Sequence, residues 1–330
     1  MSLSILGRFL GGKAIRGGFR TRLLLSLASC VFVLASGVTI RGAEEPAAAE
    51  VEAEATYMLR YQFDPEEIIR WKVVHRGSTE TKIQGNTQTS ESRSESIKAW
   101  HVKEVDTEGV ITLVHQVDSV DMWQKISDRP EVRYNSKLDT AAPREYEQVA
   151  KTIGVPLTTV KFQPDGQILE RDSKNPSTNL GLGEIVMLLP PKSVKLGGTW
   201  YEPAEVRLRL PDGATQKVKI HKHYTLESVA AGVATIGVKT QVLTPVNDPR
   251  LEAQLVQQLV KGTIQFDLER GRILRQQMDW DETIVSFNGA DSMMKYRARF
   301  TEELLGPDAE VSTTLPTVRA QRSDKPALRR

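Results

Sequence analysis

The chain has 330 residues, of which 39% are hydrophobic, 26% charged and 6% aromatic. That composition supports a sizeable core and excludes a wholly disordered chain. Residues 1–43 carry six basic side chains and no acid, and beyond them 38 basic residues face 42 acidic ones. The body is thus slightly acidic, which excludes it as a general nucleic-acid binder; nucleic acid is not an expected partner.

The first element is apolar. Leu23 to Ile40 is an uncharged run of 18 residues preceded by Arg20 and Arg22. A basic stretch before an apolar run is the pattern of a secretory signal, with cleavage after Gly37 or Ala43. Two alternatives stay open. The run is long enough to remain as an uncleaved membrane anchor, and Leu27-Ala28-Ser29-Cys30 resembles a bacterial lipobox. Either way the body is expected to be exported, periplasmic or extracellular. Cys30 is the chain's one cysteine, so the cleaved protein would hold no disulfide or thiolate site. Residues 44–56 are an acidic, Ala-rich tether, expected to be disordered.

Next comes a long hairpin. Gly85-Asn86 reads as a two-residue turn, which would set Trp71 opposite Trp100 and Ile69 opposite Val102. Its tip, Ser78 to Ser96, is polar on both faces and is expected to extend into solvent. Asp106 to Gly109 forms a second turn, before the alternating Ile111, Leu113 and Val117. Pro143 to Ile153 then has helical spacing and ends at Gly154. A short helix is expected over Leu182 to Leu189, stopped by Pro190-Pro191. Strands follow around Val218 and Ile220, and around Val238 and Val242. A second longer helix is expected over Pro249 to Val260. Asn288-Gly289 marks a last hairpin, and residues 305–330 are expected to be a disordered tail.

Two stretches repeat. Trp100 to Val114 matches Tyr224 to Val238, with Gly109 answering Gly232. Phe162 to Leu169 matches Phe266 to Leu274, with Gly166 answering Gly271. Each second stretch follows one of the longer helices. The fold expected is therefore α+β and β-rich: long antiparallel hairpins with two or three helices, in two similar halves (57–180 and 181–304) packed as one body.

Few residues suggest chemistry. His221 and His223 form H-x-H on one strand face, a pair that zinc could use with a third ligand. The simpler reading is a solvent face shared with Lys219. His101 and His115 flank one hairpin, and His75 shows no partner. Asp279 and Asp281 share a strand face, as paired acid and base or as surface acids near Arg272 and Arg275. Gly181 and Gly183 lack the rest of a phosphate loop. Met187, Leu188, Leu189, Met293, Met294 and Phe300 are candidates for an apolar ligand groove, or for plain core.

Pro191 to Trp200 (PKSVKLGGTW), with Phe162 to Leu169 and Phe266 to Leu274, resembles a family of uncharacterised exported bacterial proteins. More distantly, the architecture is similar to periplasmic lipoprotein carriers. The family has no assigned activity, so the resemblance implies no catalytic residue and no cofactor. The reading that follows is a non-catalytic binding or structural component of the cell envelope. Its partner would be an envelope protein, a glycan or a lipid-like ligand. The alternatives are a periplasmic carrier of acyl chains and a metal-dependent hydrolase using His221 and His223.

Overall fold

A computed structural model describes residues 55–173 and 186–306. The expected leader, most of the tether, the tail, Cys30, Gly181 and Gly183 lie outside the described residues. After β1 (Thr56–Tyr57) come β2 (Ile68–Ile83), β3 (Asn86–Val105), β4 (Ile111–Ile126) and β5 (Val132–Asn135). Helix α1 (Glu147–Ala150) leads to β6 (Pro156–Phe162) and β7 (Ile168–Ser173). Then follow β8 (Val194–Lys195), β9 (Thr199–Arg209), β10 (Thr215–Ala230) and β11 (Val233–Val242). Helix α2 (Pro249–Leu255) precedes β12 (Lys261–Asp267), β13 (Arg272–Val285) and β14 (Met293–Leu304).

Twelve of the strands make one antiparallel sheet in the order β7-β6-β4-β3-β2-β14-β13-β12-β11-β10-β9, with β5 also on β4. β1 and β8 pair separately. Within each half the order follows the chain, β5 branching off β4, while β7 and β9 form the two edges and β14 lies beside β2 at a central seam. That seam joins the two halves.

The two halves use the same devices at matched positions. β3 bulges at Lys103 and β10 at Glu227, the residues that correspond in the repeat. A second matched pair of bulges leaves Leu169 and Leu274 without a partner. Gly109 and Gly232 have φ of 79° and 77°, and Gly166 and Gly271 have 85° and 59°. A side chain at Gly166 would strike the Met187 carbonyl, and one at Gly271 would strike Arg60 and Gln62. Only glycine meets both demands, a left-handed backbone and close approach.

The approach at Gly271 is made by residues 59–63, which cross the apolar face of the sheet and also bring Tyr61 to Gly166. The Tyr61 N–H donates to the Pro164 carbonyl at 2.7 Å, and the Gln62 N–H to the Gly271 carbonyl at 3.1 Å. The Tyr61 ring sits edge-on to Phe162 and to Phe266, with centroids 5.7 Å away in both cases. One core cluster takes residues from both halves, including Leu113, Phe162, Leu226 and Phe266.

Several expectations need correction. The first hairpin turns at Gln84-Gly85, whose φ of 49° and 80° suit a primed turn, not at Gly85-Asn86. The register moves by two, so Trp71 faces Lys98 and Ile69 faces Trp100. A shift of two preserves the face, and the two tryptophan rings still meet, 4.5 Å apart. The hairpin tip does not stand free: β14 flanks it as far as Lys82 and β4 as far as Ser90. Over Pro143–Ile153 only four residues are α-helical, and Tyr146 at the start has no side-chain cap. α2 forms fully, because Asp248 accepts from the Arg250 N–H and Pro249 opens the first turn. Val186 to Leu189, the described part of the expected third helix, is not helical.

Candidate functional site

Period-two alternation gives the sheet two unlike faces. One face carries Trp71, Trp100, Leu113, Tyr224, Ile236, Ile264 and Phe300 into the core. The other is polar, and on it lies an open trough of about 1490 Å³. Eight adjacent strands contribute to the trough, from β4 at Trp123 to β10 at His223. Its lining includes seven Lys or Arg against four Asp or Glu.

The register places a continuous row of side chains across this face. Trp123 on β4 is opposite Arg93, Arg93 is opposite Arg76, and Arg76 is opposite Arg299 across the seam. Arg299 faces Asp279, which faces Lys261. Lys261 faces Lys239, Lys239 faces His223, and His223 faces Tyr201 on the edge strand. Nine strands at about 4.8 Å spacing make a row about 38 Å long, measured along the ladder.

Part of this charge is neutralised within the sheet. Arg299 Nε donates to Asp279 Oδ1 at 2.6 Å, and Arg297 Nε to Asp281 Oδ1 at 3.1 Å. Arg93 Nη2 meets Glu95 at 2.6 Å, while its Nε is buried with no hydrogen-bond acceptor. Arg76, Lys239 and Lys261 are exposed and have no ion pair among the described residues. Like charges directly opposite one another cost stability, yet Arg93, Arg76 and Arg299 adjoin, as do Lys261 and Lys239. The next row on the same face is polar: Thr301 is opposite Gln277, Gln277 opposite Thr263, and Thr263 opposite Gly237, which faces Thr225 and is covered by the Glu227 carboxylate.

The sequence candidates are distributed as follows. Asp279 and Asp281 do share a face, but their partners are Arg299 and Arg297; Arg272 instead binds Glu67 at 2.5 Å. His221 and His223 flank the Tyr201 ring at 4.7 and 4.8 Å, and His221 Nε2 contacts Gln241 at 2.5 Å. Among the described residues no group of three His, Cys, Asp or Glu is placed to hold a metal ion. His101 and His115 point to opposite faces, since His115 faces Trp100. Burial, reinforced by the nearby charges of Lys98 and Arg171, holds the His115 imidazole down at about 3. His75, on the apolar face 6.3 Å from Trp280, is lowered by burial as well.

The six residues of the expected apolar groove do not line the trough. Met187, Leu189 and Phe300 are buried in the main core, and Leu188 is half-buried between Met187 and Leu189. Met294, next to Met293, packs against a separate cluster of Val256, Tyr296 and Ala298. Residues that sequence reasoning missed include Arg76, Arg93, Lys239, Lys261, Arg299 and Trp123. Strand alternation could have placed each on a polar face, but their alignment needs the β2–β14 seam.

No family model matches this chain, and no curated protein matches it. Among solved structures it is similar to lipovitellin, from a study of lipid–protein interactions, with a TM-score of 0.45 and 12% identity; the match covers 74% of this chain and 26% of that one. It is also similar to DynF from the dynemicin biosynthesis pathway of Micromonospora chersina (TM-score 0.20, 7% identity, 83% and 96% covered). A DUF1329 family protein from Desulfovibrio piger matches at TM-score 0.13 and 10% identity, with 69% and 83% covered. At these TM-scores none of the likenesses carries an argument about function.

Proposed function

We propose that this is a non-catalytic binding protein of the cell envelope or extracellular space, and that its working surface is the polar trough. The observation that carries this reading is the division of labour between the faces of one sheet. The apolar face is closed by residues 59–63 and the segment around Met187. The opposite face offers side chains held on eight rigid, mutually paired strands. Sites built on strands keep their geometry better than sites on loops. A carrier of acyl chains would need an apolar lining; here Trp123 is the large apolar side chain that strand alternation puts on the trough's face, while Trp280 and Val238 turn to the core, and the rest of the lining is polar, charged or small.

The test is a ligand screen with a positional readout. The purified protein is exposed to glycan and phospholipid panels, and backbone NMR shifts are mapped. Perturbations grouped on β10–β14 and β2–β3 support the reading. Lipid co-purifying with the protein, with shifts confined to the core residues, would replace it with the carrier.

A further inference from the structure

We infer that the cationic row of the trough is the binding site for a single extended acidic polysaccharide of the uronate type. This rests on the trough being the working surface and names what it holds. The row is one side chain wide and crosses the sheet perpendicular to the strands. Its cations Arg76, Lys261 and Lys239 have no ion pair among the described residues, and Asp279, which faces Lys261, is held by Arg299, so an outside anion would relieve their repulsion. Arginine offers a planar fork that suits carboxylate, and lysine a point charge.

The surroundings narrow the ligand class. Acids border the row: Glu91 and Asp281 on one side, Glu95 on the other. A broad polyanion such as duplex nucleic acid would meet those acids, whereas a thin chain along the row meets only Asp279, which Arg299 neutralises. The row of Thr301, Gln277, Thr263 and Thr225 lies alongside, with the Glu227 carboxylate over Gly237 between the last two, and offers donors and acceptors to hydroxyl groups. Aromatic rings stand at the two ends only, Trp123 and Tyr201. A single-stranded nucleic acid would need a stacking platform for each base. One carboxylate and several hydroxyls per ring is the chemistry that fits both rows together.

The experiment is calorimetric titration of the full chain with three probes: a polyuronate decamer, a neutral dextran decamer and a ten-nucleotide oligothymidine. The polyuronate is expected to bind best. With three contacts at a slope of about −0.7 each, its affinity should fall about 20-fold from 50 to 200 mM salt. The Arg76→Glu/Lys261→Glu variant should bind roughly tenfold or more weakly, and Arg76→Lys/Lys261→Arg should bind nearly as wild type. Arg144→Glu, off the trough, serves as the charge control, and an unchanged melting temperature shows that each variant is folded. Dextran binding as tightly as polyuronate, or oligothymidine binding more tightly, overturns the inference while leaving a trough-binding protein. Absence of binding by any of the three also overturns it, and the trough reading then stands or falls on the ligand screen.

Discussion

The two faces of this sheet treat charge in opposite ways. On the apolar face a single ion pair, Lys98 with Glu302, is almost fully buried, at 1% and 3% side-chain exposure. The Lys98 ammonium lies 5.2 Å from the centroids of both Trp71 and Trp100, and Glu302 also accepts from Gln276. The two deeply buried charges there are paired with each other. On the polar face like charges adjoin, and Arg76, Lys239, Lys261 and Arg275 of the trough have no ion pair among the described residues. The difference teaches that stability and recognition are separated on one sheet: mutations should be costly on one side and silent for folding on the other.

The largest effects should come from the buried pair. Glu302→Gln leaves the Lys98 charge uncompensated and should cost about 3–5 kcal/mol in urea unfolding. Replacing both with methionine should cost far less, because no buried charge is stranded. A double loss as large as the single one would mean that the cation–π contacts, not the ion pair, dominate there.

A comparable loss tests the equivalence of the halves. Phe162→Ala and Phe266→Ala should each cost about 3–5 kcal/mol, since both rings are fully buried and touch Tyr61 alike. Markedly unequal losses would show that one half carries the fold and the other leans on it.

Acid should act through the apolar face. The unfolded chain protonates its histidines near pH 6.5, while folded His115 stays neutral down to about pH 3. Stability therefore falls as pH drops below 6.5, by about 1.4 kcal/mol per unit for this group. His75 adds to the slope in the same direction. His115→Gln should flatten the slope between pH 6.5 and 4.5, read from urea midpoints.

The smallest effect belongs to the polar face. Asp281 and Arg297 form an exposed pair at 3.1 Å, so Asp281→Asn should change stability by at most about 1 kcal/mol. A loss of several kcal/mol would erase the contrast between the faces.

How much of this was legible in the sequence depended on range. The glycine pairs Gly109/Gly232 and Gly166/Gly271 could be read because a repeated turn leaves a repeated residue. Asp279 and Asp281 fell on one face by simple alternation. The first hairpin's register was misread by two, because a glutamine took a left-handed position that Asn-Gly statistics assign elsewhere. The burial of Lys98 left no local sign, since its partner Glu302 is about 200 residues away. The cationic row was illegible for the same reason: its two parts, Arg93 with Arg76 and Lys261 with Lys239, join only because β14 meets β2.

Lysine footprinting addresses the separation of faces most directly. The protein is acetylated with and without the polyuronate decamer, and each lysine's reactivity is read by mass spectrometry. Lys239 and Lys261 should lose reactivity together, while Lys151 and Lys192, away from the trough, keep theirs. Equal reactivity at all four with the ligand bound would contradict the account.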